Sequence, residues 1–263
     1  RGLGDVYKRQ VNNVYPQNLS FAKIGKHDET VALITRTNFT RTLFFDPQRG
    51  WTVIDQYQAP DRESLITAAS SARLADRSKP AIIMYDSAHG KLFILTPQKD
   101  GTYRSSREIE IGSITIKKII VGQFGGLAKR SILLAGTHKI MLIPAIAHTQ
   151  ILRKIASFET DIKNGRFGAI TVGDINSDGC PDIVLCEQAR HHVEILTFNP
   201  KGKLVAGMKF KVFEAPRRVE SAQYDQRRTG SEPRSAIIGD VTNDKKADLI
   251  LLVHDRIIIY PQD

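Results

Sequence analysis

Asp174-Ile175-Asn176-Ser177-Asp178-Gly179-Cys180-Pro181-Asp182 is the stretch from which the rest of the chain can be read. Oxygen-bearing side chains occupy loop positions 1, 3, 5 and 9, on Asp174, Asn176, Asp178 and Asp182, and Gly179 sits at position 6. Calcium takes roughly six to eight oxygens, and an alternating acidic loop can wrap it, with the backbone carbonyl of Cys180 as the position-7 ligand. Gly179 falls where the chain turns sharply and a residue without Cβ adopts positive φ most easily. Position 12 holds Leu185 and not the bidentate Glu of an EF-hand. Asp182 runs directly into Ile183-Val184-Leu185, an apolar β-branched run that reads as a strand. The loop is therefore expected to feed a sheet, with a structural calcium ion as its cofactor.

The pattern returns without a gap from Gly239 to Leu251. Asp240, Asp244 and Asp248 match Asp174, Asp178 and Asp182; Thr242 replaces Asn176, Lys245 replaces the glycine, and the carbonyl of Lys246 replaces that of Cys180. Three carboxylates survive, but the residue best suited to the turn is lost. The sequence predicts weaker calcium binding at this second site, or none.

Earlier copies emerge once this frame is set. Val121 to Leu134 aligns on Val172 to Leu185 with the acidic ligands gone; fainter copies run from Arg73 to Met84 and from Lys23 to Ile34. Units starting near 23, 73, 123, 174 and 240 are spaced by 50, 50, 51 and 66 residues. A period of this size marks a repeat architecture with one propeller blade per unit. Each unit has a second half in which strands flank a Pro- and Gly-punctuated turn, as in Asp46-Pro47-Gln48-Arg49-Gly50, Pro97-Gln98-Lys99-Asp100-Gly101 and Asn199-Pro200-Lys201-Gly202. About four short strands per unit suits an all-β propeller. Arg62 to Leu74 is the sole helix candidate, and it is short of apolar positions at helical spacing.

On Gly173 to Ile183, and less closely on Gly239 to Leu249, the chain resembles the FG-GAP/VCBS repeat family, whose blades also build the head of integrin α chains. The resemblance covers one unit strongly and the next moderately, and only the period extends it over residues 20–160. It implies a calcium-stiffened propeller, secreted or at a cell surface, that binds proteins or glycans; the chain is read as a non-catalytic module. Three of the five units lack ligand sets, so at most two calcium sites carry over.

Both ends are abrupt. Arg1 to Gln10 lacks an initiating Met and resembles a translated sequencing adapter, so the fold is sought in residues 11–263. The other end stops at Ile257-Ile258-Ile259-Tyr260-Pro261-Gln262-Asp263, where the first two units continue into another strand. The expectation is an incomplete propeller of about five visible blades, within a longer chain that carries further domains or none.

Net charge is +10, and leaving out the adapter-like decapeptide lowers it to +8. Basic pairs occur at Lys117-Lys118, Lys129-Arg130, Arg217-Arg218 and Arg227-Arg228, without interleaved stacking aromatics or a nucleic-acid motif. Dispersed solubilising charge is expected, with a polyanion-binding surface as the rival. Cys180 and Cys186 flank one extended strand and lie about 20 Å apart at about 3.3 Å per residue, too far to bridge. No apolar run is long enough to span a membrane. Calcium loops of modest charge fill best where calcium is millimolar, which points outside the cytoplasm.

Other chemistry is sparse. His191-His192 reads as an exposed turn, and His27, His89, His138, His148 and His254 show no ligand spacing. No nucleophile elbow or phosphate loop is present, and Gly122-Gln123-Phe124-Gly125-Gly126 aligns with a degenerate calcium loop. The insertion from Glu214 to Pro233 stretches one period and carries Arg217, Arg218, Tyr224, Arg227 and Arg228, with Arg234 following, so it is the best candidate for a partner-contact loop. Asn18 and Asn38 begin glycosylation sequons. The alternative to an interaction module is the propeller part of a polysaccharide lyase or hydrolase, since fold alone does not decide activity.

Overall fold

β-Branched and aliphatic runs broken every six to eight residues by Gly, Pro, Asn and Asp fold here as short antiparallel strands. The computed structural model describes residues 19–24, 30–75, 78–126, 129–145, 156–199, 201–212, 232–254 and 256–262. Every regular element among them is a strand. One sheet contains β1 (Leu19–Lys23), β2 (Thr30–Arg36), β3 (Phe39–Asp46) and β4 (Gly50–Gln58) in sequential order. The next contains β5 (Ile66–Ala72), β6 (Ala81–Asp86), β7 (Lys91–Pro97) and β8 (Tyr103–Glu110). The third is built of β9 (Ile116–Gly122), β10 (Ser131–Gly136), β11 (Lys139–Pro144) and β12 (Ala156–Glu159). The fourth contains β13 (Phe167–Gly173), β14 (Asp182–Glu187), β15 (His192–Phe198) and β16 (Leu204–Lys211). The last has three strands, β17 (Ser235–Gly239), β18 (Asp248–Val253) and β19 (Arg256–Tyr260).

The repeat period is thus one meander of antiparallel strands per unit. Registers repeat with it. The third and fourth strands slip register between Thr42 and Leu43, between Ile94 and Leu95, and between Ile195 and Leu196, which is the same repeat position three times. The segment Arg62 to Leu74, the candidate helix, contains β5. Its small residues Ala68 and Ala69 are buried, and small side chains at this strand let a neighbouring sheet approach closely.

The chain divides into two compact units. The first comprises Arg1–Val121, Arg130–Gly136 and Leu142–Ile155. Its core is built where the first two sheets face each other, with Leu33, Ile82, Met84, Phe93 and Leu95 buried among Tyr57, Ile66 and Ala69. The second comprises Gly122–Lys129, Thr137–Met141 and Ala156–Asp263. There the last two sheets bury Val184, Cys186, Val193, Ile195, Leu249, Leu251 and Val253 against one another. Gly173 packs tightly at this contact: a Cβ there would stand 3.1 Å from two carbons of Ile238, whose side chain would have to give by a few tenths of an ångström. The second strands carry the most apolar load: all six residues of β6, β10 and β14 are buried. Burial also pushes the Cys186 thiol up to about 12, so this cysteine is an inert core residue, and neither cysteine is bridged.

Candidate metal centre

The two acidic loops occupy the same place in their sheets. Residues 174–181 join β13 to β14 beyond the final ladder pair Gly173–Asp182, and residues 240–247 join β17 to β18 beyond Gly239–Asp248. Their backbones match as well. Positive φ falls on Ser177 (59°) and Gly179 (82°) in the first loop and on Asn243 (63°) and Lys245 (71°) in the second. Lys245 therefore holds the left-handed conformation that its glycine counterpart adopts without strain.

In the first loop, Asp174 accepts the Asp178 N–H at 3.1 Å and the Gly179 N–H at 2.8 Å on its two carboxylate oxygens. Asn176 Oδ1 also accepts the Asp178 N–H, at 3.0 Å, while its amide donates to Asp178 Oδ2 at 3.0 Å. Asp178 Oδ1 accepts the Cys180 N–H at 2.7 Å. Asp182, the ladder residue beneath the loop, is 0% exposed. Its Oδ2 accepts the Ile175 N–H at 3.2 Å, but its Oδ1 is sealed from solvent and has no hydrogen-bond partner. Burial pushes the Asp182 pKa up to about 6, and the charges of Asp178 and Asp174 add to the rise.

The second loop repeats the turn but not the deficit. Asp240 accepts N–H groups of Asn243, Asp244 and Lys245, and Asp244 accepts that of Lys246. Asp248 is equally buried. Its Oδ2 accepts the Val241 N–H at 2.8 Å, the Thr242 N–H at 3.1 Å and the Thr242 hydroxyl at 3.2 Å, and its Oδ1 accepts the Gln262 N–H at 3.2 Å. The Val241 N–H, followed by those of Gln262 and Thr242, holds this carboxyl below the usual carboxylate range.

The corresponding residues of the first three units, Val31, Ala81 and Ser131, are buried too. Five repeats therefore enclose the same position, and two of them place a carboxylate there. All donors in the first loop are oxygens, which suits a hard cation such as calcium, and the orphaned Asp182 oxygen is an acceptor that the protein leaves unmet. The residues fit calcium on these grounds. The carboxylates are turned toward loop N–H groups, and no three His, Cys, Asp or Glu side chains converge on a common metal position among the described residues.

The remaining sequence candidates are dispersed. Arg217, Arg218, Tyr224, Arg227 and Arg228 of the insertion lie outside the described residues, as do Arg1 to Gln10 and Asn18. Glu232, at the insertion's end, is buried and accepts the His254 N–H at 2.9 Å and Arg234 Nε at 3.0 Å. Asn38 sits in the turn between β2 and β3. His191 and His192 are half-buried, contrary to the exposed turn expected of them; His191 lies 3.3 Å from the Glu232 carbonyl, and His192 opens β15.

Sequence reading missed a set of buried carboxylates at the hairpin between the second and third strands. Asp86 Oδ1 accepts the Leu65 and Ala88 N–H groups, and Glu187 Oε1 accepts those of the equivalent Arg166 and Ala189. Each carboxylate pins the entry of its sheet to a hairpin 21 residues away. The signal is faint, because one acidic residue at the end of an apolar strand reads as an ordinary turn residue.

No family model and no curated protein matches the chain in sequence. Among solved structures it is similar to a crystal structure of a protein from Lactobacillus plantarum, with a TM-score of 0.60 at 10% identity. The match covers 94% of this chain and 64% of that one, so the chain spans a little under two thirds of that structure's length. At this identity the likeness concerns the fold alone. Together with the four-stranded meanders it establishes an all-β, β-propeller-like fold. No helix among the described residues is long and apolar enough to cross a membrane.

Proposed function

We propose that this chain is a non-catalytic, calcium-stabilised interaction propeller of the FG-GAP/VCBS type, acting in a secreted or cell-surface setting and contacting a protein or glycan partner. The observation that carries the reading is the buried Asp182 oxygen without a partner, directly under an all-oxygen loop. A divalent cation would supply the positive partner that this carboxylate oxygen lacks. Asp174, Asn176, Asp178, the Cys180 carbonyl and Asp182 would hold it. Asp240, Thr242, Asp244, the Lys246 carbonyl and Asp248 form the weaker candidate, because Asp248 is already satisfied by protein donors.

Calcium here would act on structure. It would tie the connection between the first two strands of a sheet to the buried start of the second, and so stiffen the edge from which loops project. A setting with millimolar calcium fits a loop of this modest charge. Calorimetric calcium titration with parallel thermal melts, on wild type and Asp178→Ala, tests the reading. Saturable binding that raises the melting temperature and is lost in the variant supports it, with stabilisation growing with free calcium as mass action requires. Absence of both binding and stabilisation in the wild type overturns it.

A further inference from the structure

A second polar centre lies at the opposite, hairpin end of the β5–β8 sheet, and the acidic loops do not involve it. Asp86 closes β6 and is 0% exposed. Its Oδ1 is occupied by the Leu65 and Ala88 N–H groups at 2.9 and 3.0 Å, and its Oδ2 lies 2.7 Å from His89 Nδ1. An ionised carboxylate only accepts, so Nδ1 carries the proton and donates to Asp86. The other ring nitrogen, Nε2, is thereby fixed toward the Asp61 carboxylate, 3.4 Å from Oδ2. Asp61 is itself positioned, because its Oδ1 accepts the Glu63 N–H at 2.8 Å. Asp61 and His89 line an open cleft of about 780 Å³, together with Arg62, Glu63, Lys91 and Glu108.

Asp86, and then Asp61, raise the His89 pKa, so a cation at Nε2 competes with a proton there. In the neutral imidazole, Nε2 and Asp61 Oδ2 are two acceptors facing each other at 3.4 Å. Ligand atoms at about 2.0–2.1 Å from a tetrahedral zinc ion stand roughly 3.3–3.4 Å apart, which is the separation found here. A buried carboxylate that accepts the other ring N–H is the usual outer support of a metal-ligating histidine; it sets the tautomer, fixes the ring and raises its basicity. Imidazole with carboxylate suits borderline transition-metal dications.

We propose that His89 Nε2 and Asp61 Oδ2 are two ligands of a divalent transition-metal site, of which Zn2+ is the representative, with Asp86 as the positioning residue behind His89. No third His, Cys, Asp or Glu converges with them among the described residues. The remaining coordination positions therefore face the cleft and are open to water or to a ligand carrying oxygen donors. The site is independent of the calcium reading: it uses a different sheet, different ligands and a different class of ion.

The test is calorimetric titration of the calcium-saturated full chain with ZnCl2 near pH 7.5, on wild type, His89→Ala, Asp61→Asn and Asp86→Asn. Wild type should bind one zinc ion that His89→Ala no longer binds and that Asp61→Asn binds at least tenfold more weakly. Asp86→Asn should weaken binding about 10- to 100-fold, as loss of an outer partner does. Because Asp86 also anchors the hairpin, a variant that fails to fold is replaced by a wild-type measurement, the 15N shift of His89 Nε2 on zinc addition. A shift at Nε2 with Nδ1 still protonated supports the site. Equal zinc binding by wild type and His89→Ala, or an Nε2 signal unmoved by excess zinc, overturns it and leaves His89 as an imidazolium held between two carboxylates.

Discussion

Asp182 and Asp248 open equivalent strands in successive repeats and are both fully buried, yet only Asp248 has both carboxylate oxygens hydrogen-bonded. The difference traces to one residue: the Gln262 N–H reaches Asp248 Oδ1. Thr242 adds a hydroxyl to the Oδ2 that already accepts the Val241 N–H, where the first loop has Asn176, whose amide is spent on Asp178. The two loops should therefore respond oppositely to removal of their buried charge. Without calcium, Asp182→Asn should leave the melting temperature unchanged or raise it, since a buried charge without a full set of partners is lost. Asp248→Ala should lower it by several degrees, since the N–H groups of Val241, Thr242 and Gln262 lose their acceptor. With saturating calcium, Asp182→Asn should forfeit the calcium-induced rise. Melts of both variants in chelator and in calcium check the contrast.

The same carboxylate predicts an unusual pH profile. The folded-state pKa of Asp182 is raised from 3.8 to about 6, so its ionisation opposes the calcium-free fold. Its contribution to stability is most favourable below the ordinary carboxylate range and is lost as pH rises through about 6. A calcium-free sample should therefore lose stability from this group between those values, and Asp182→Asn should abolish that part of the slope. Calcium competes with the proton, so apparent affinity should fall below about pH 6 by roughly tenfold per pH unit. An affinity that is flat from pH 7 to pH 5 contradicts this account.

How far the sequence discloses the molecule can be argued from these positions. The period is legible because each unit must bury one apolar strand and break it with the same turn chemistry, so Val31, Ala81, Ser131, Asp182 and Asp248 can be aligned before any coordinates exist. The occupancy difference between the loops is only half legible. Lys245 in place of glycine announces a costlier turn, but the partner of Asp248 Oδ1 is a backbone N–H fourteen residues downstream. The Asp61–His89 pair escapes sequence inspection because its members come from two loops 28 residues apart, brought together by the β5–β6 hairpin. Ligand spacing within one motif cannot reveal it.

Gly179 and Lys245 share one backbone conformation, and it should show in exchange mutants. The φ of +71° at Lys245 is a left-handed conformation that costs a residue with Cβ about 1–2 kcal/mol. Lys245→Gly should relieve part of this, offset by the extra freedom of glycine in the unfolded chain, for a net gain of up to about 1 kcal/mol. Gly179→Ala should lose a similar amount. Nothing lies within 4 Å of a Cβ built there, so the loss is conformational and not steric. Denaturant titration of the two variants in chelator measures both.

Gly90 makes a harder demand. It has φ of +65°, and a Cβ would stand 2.7 Å from the Gly112 carbonyl carbon and 2.8 Å from its oxygen. Its own carbonyl accepts the N–H groups of Ile111 and Gly112 at 2.8 and 3.1 Å. Both contacts are backbone, so neither can swing away. Gly90→Ala should destabilise the first unit by more than the left-handed strain alone, about 3 kcal/mol or more. It should also disturb His89, which precedes it in the turn. Denaturant unfolding gives the first quantity and the His89 ring shifts the second.

Glu194 provides a test of burial without any bound ion. It sits on β15 with 3% exposure; its Oε1 accepts the Thr160 hydroxyl at 3.1 Å, and its Oε2 is buried without a partner. Burial raises its pKa, the Thr160 hydroxyl and the Lys209 ammonium pull it down, and Asp161 and Glu187 push it up again, with a net rise. A carboxyl whose folded-state pKa exceeds its unfolded value lowers stability as it ionises, so the penalty grows as pH rises through the folded value and is absent below the ordinary glutamate range. Glu194→Gln keeps the acceptor for Thr160 and removes the charge. The variant should therefore melt above wild type at neutral pH, and its advantage should shrink steadily on acidification. An advantage that does not change with pH would locate the effect in packing and not in the buried charge.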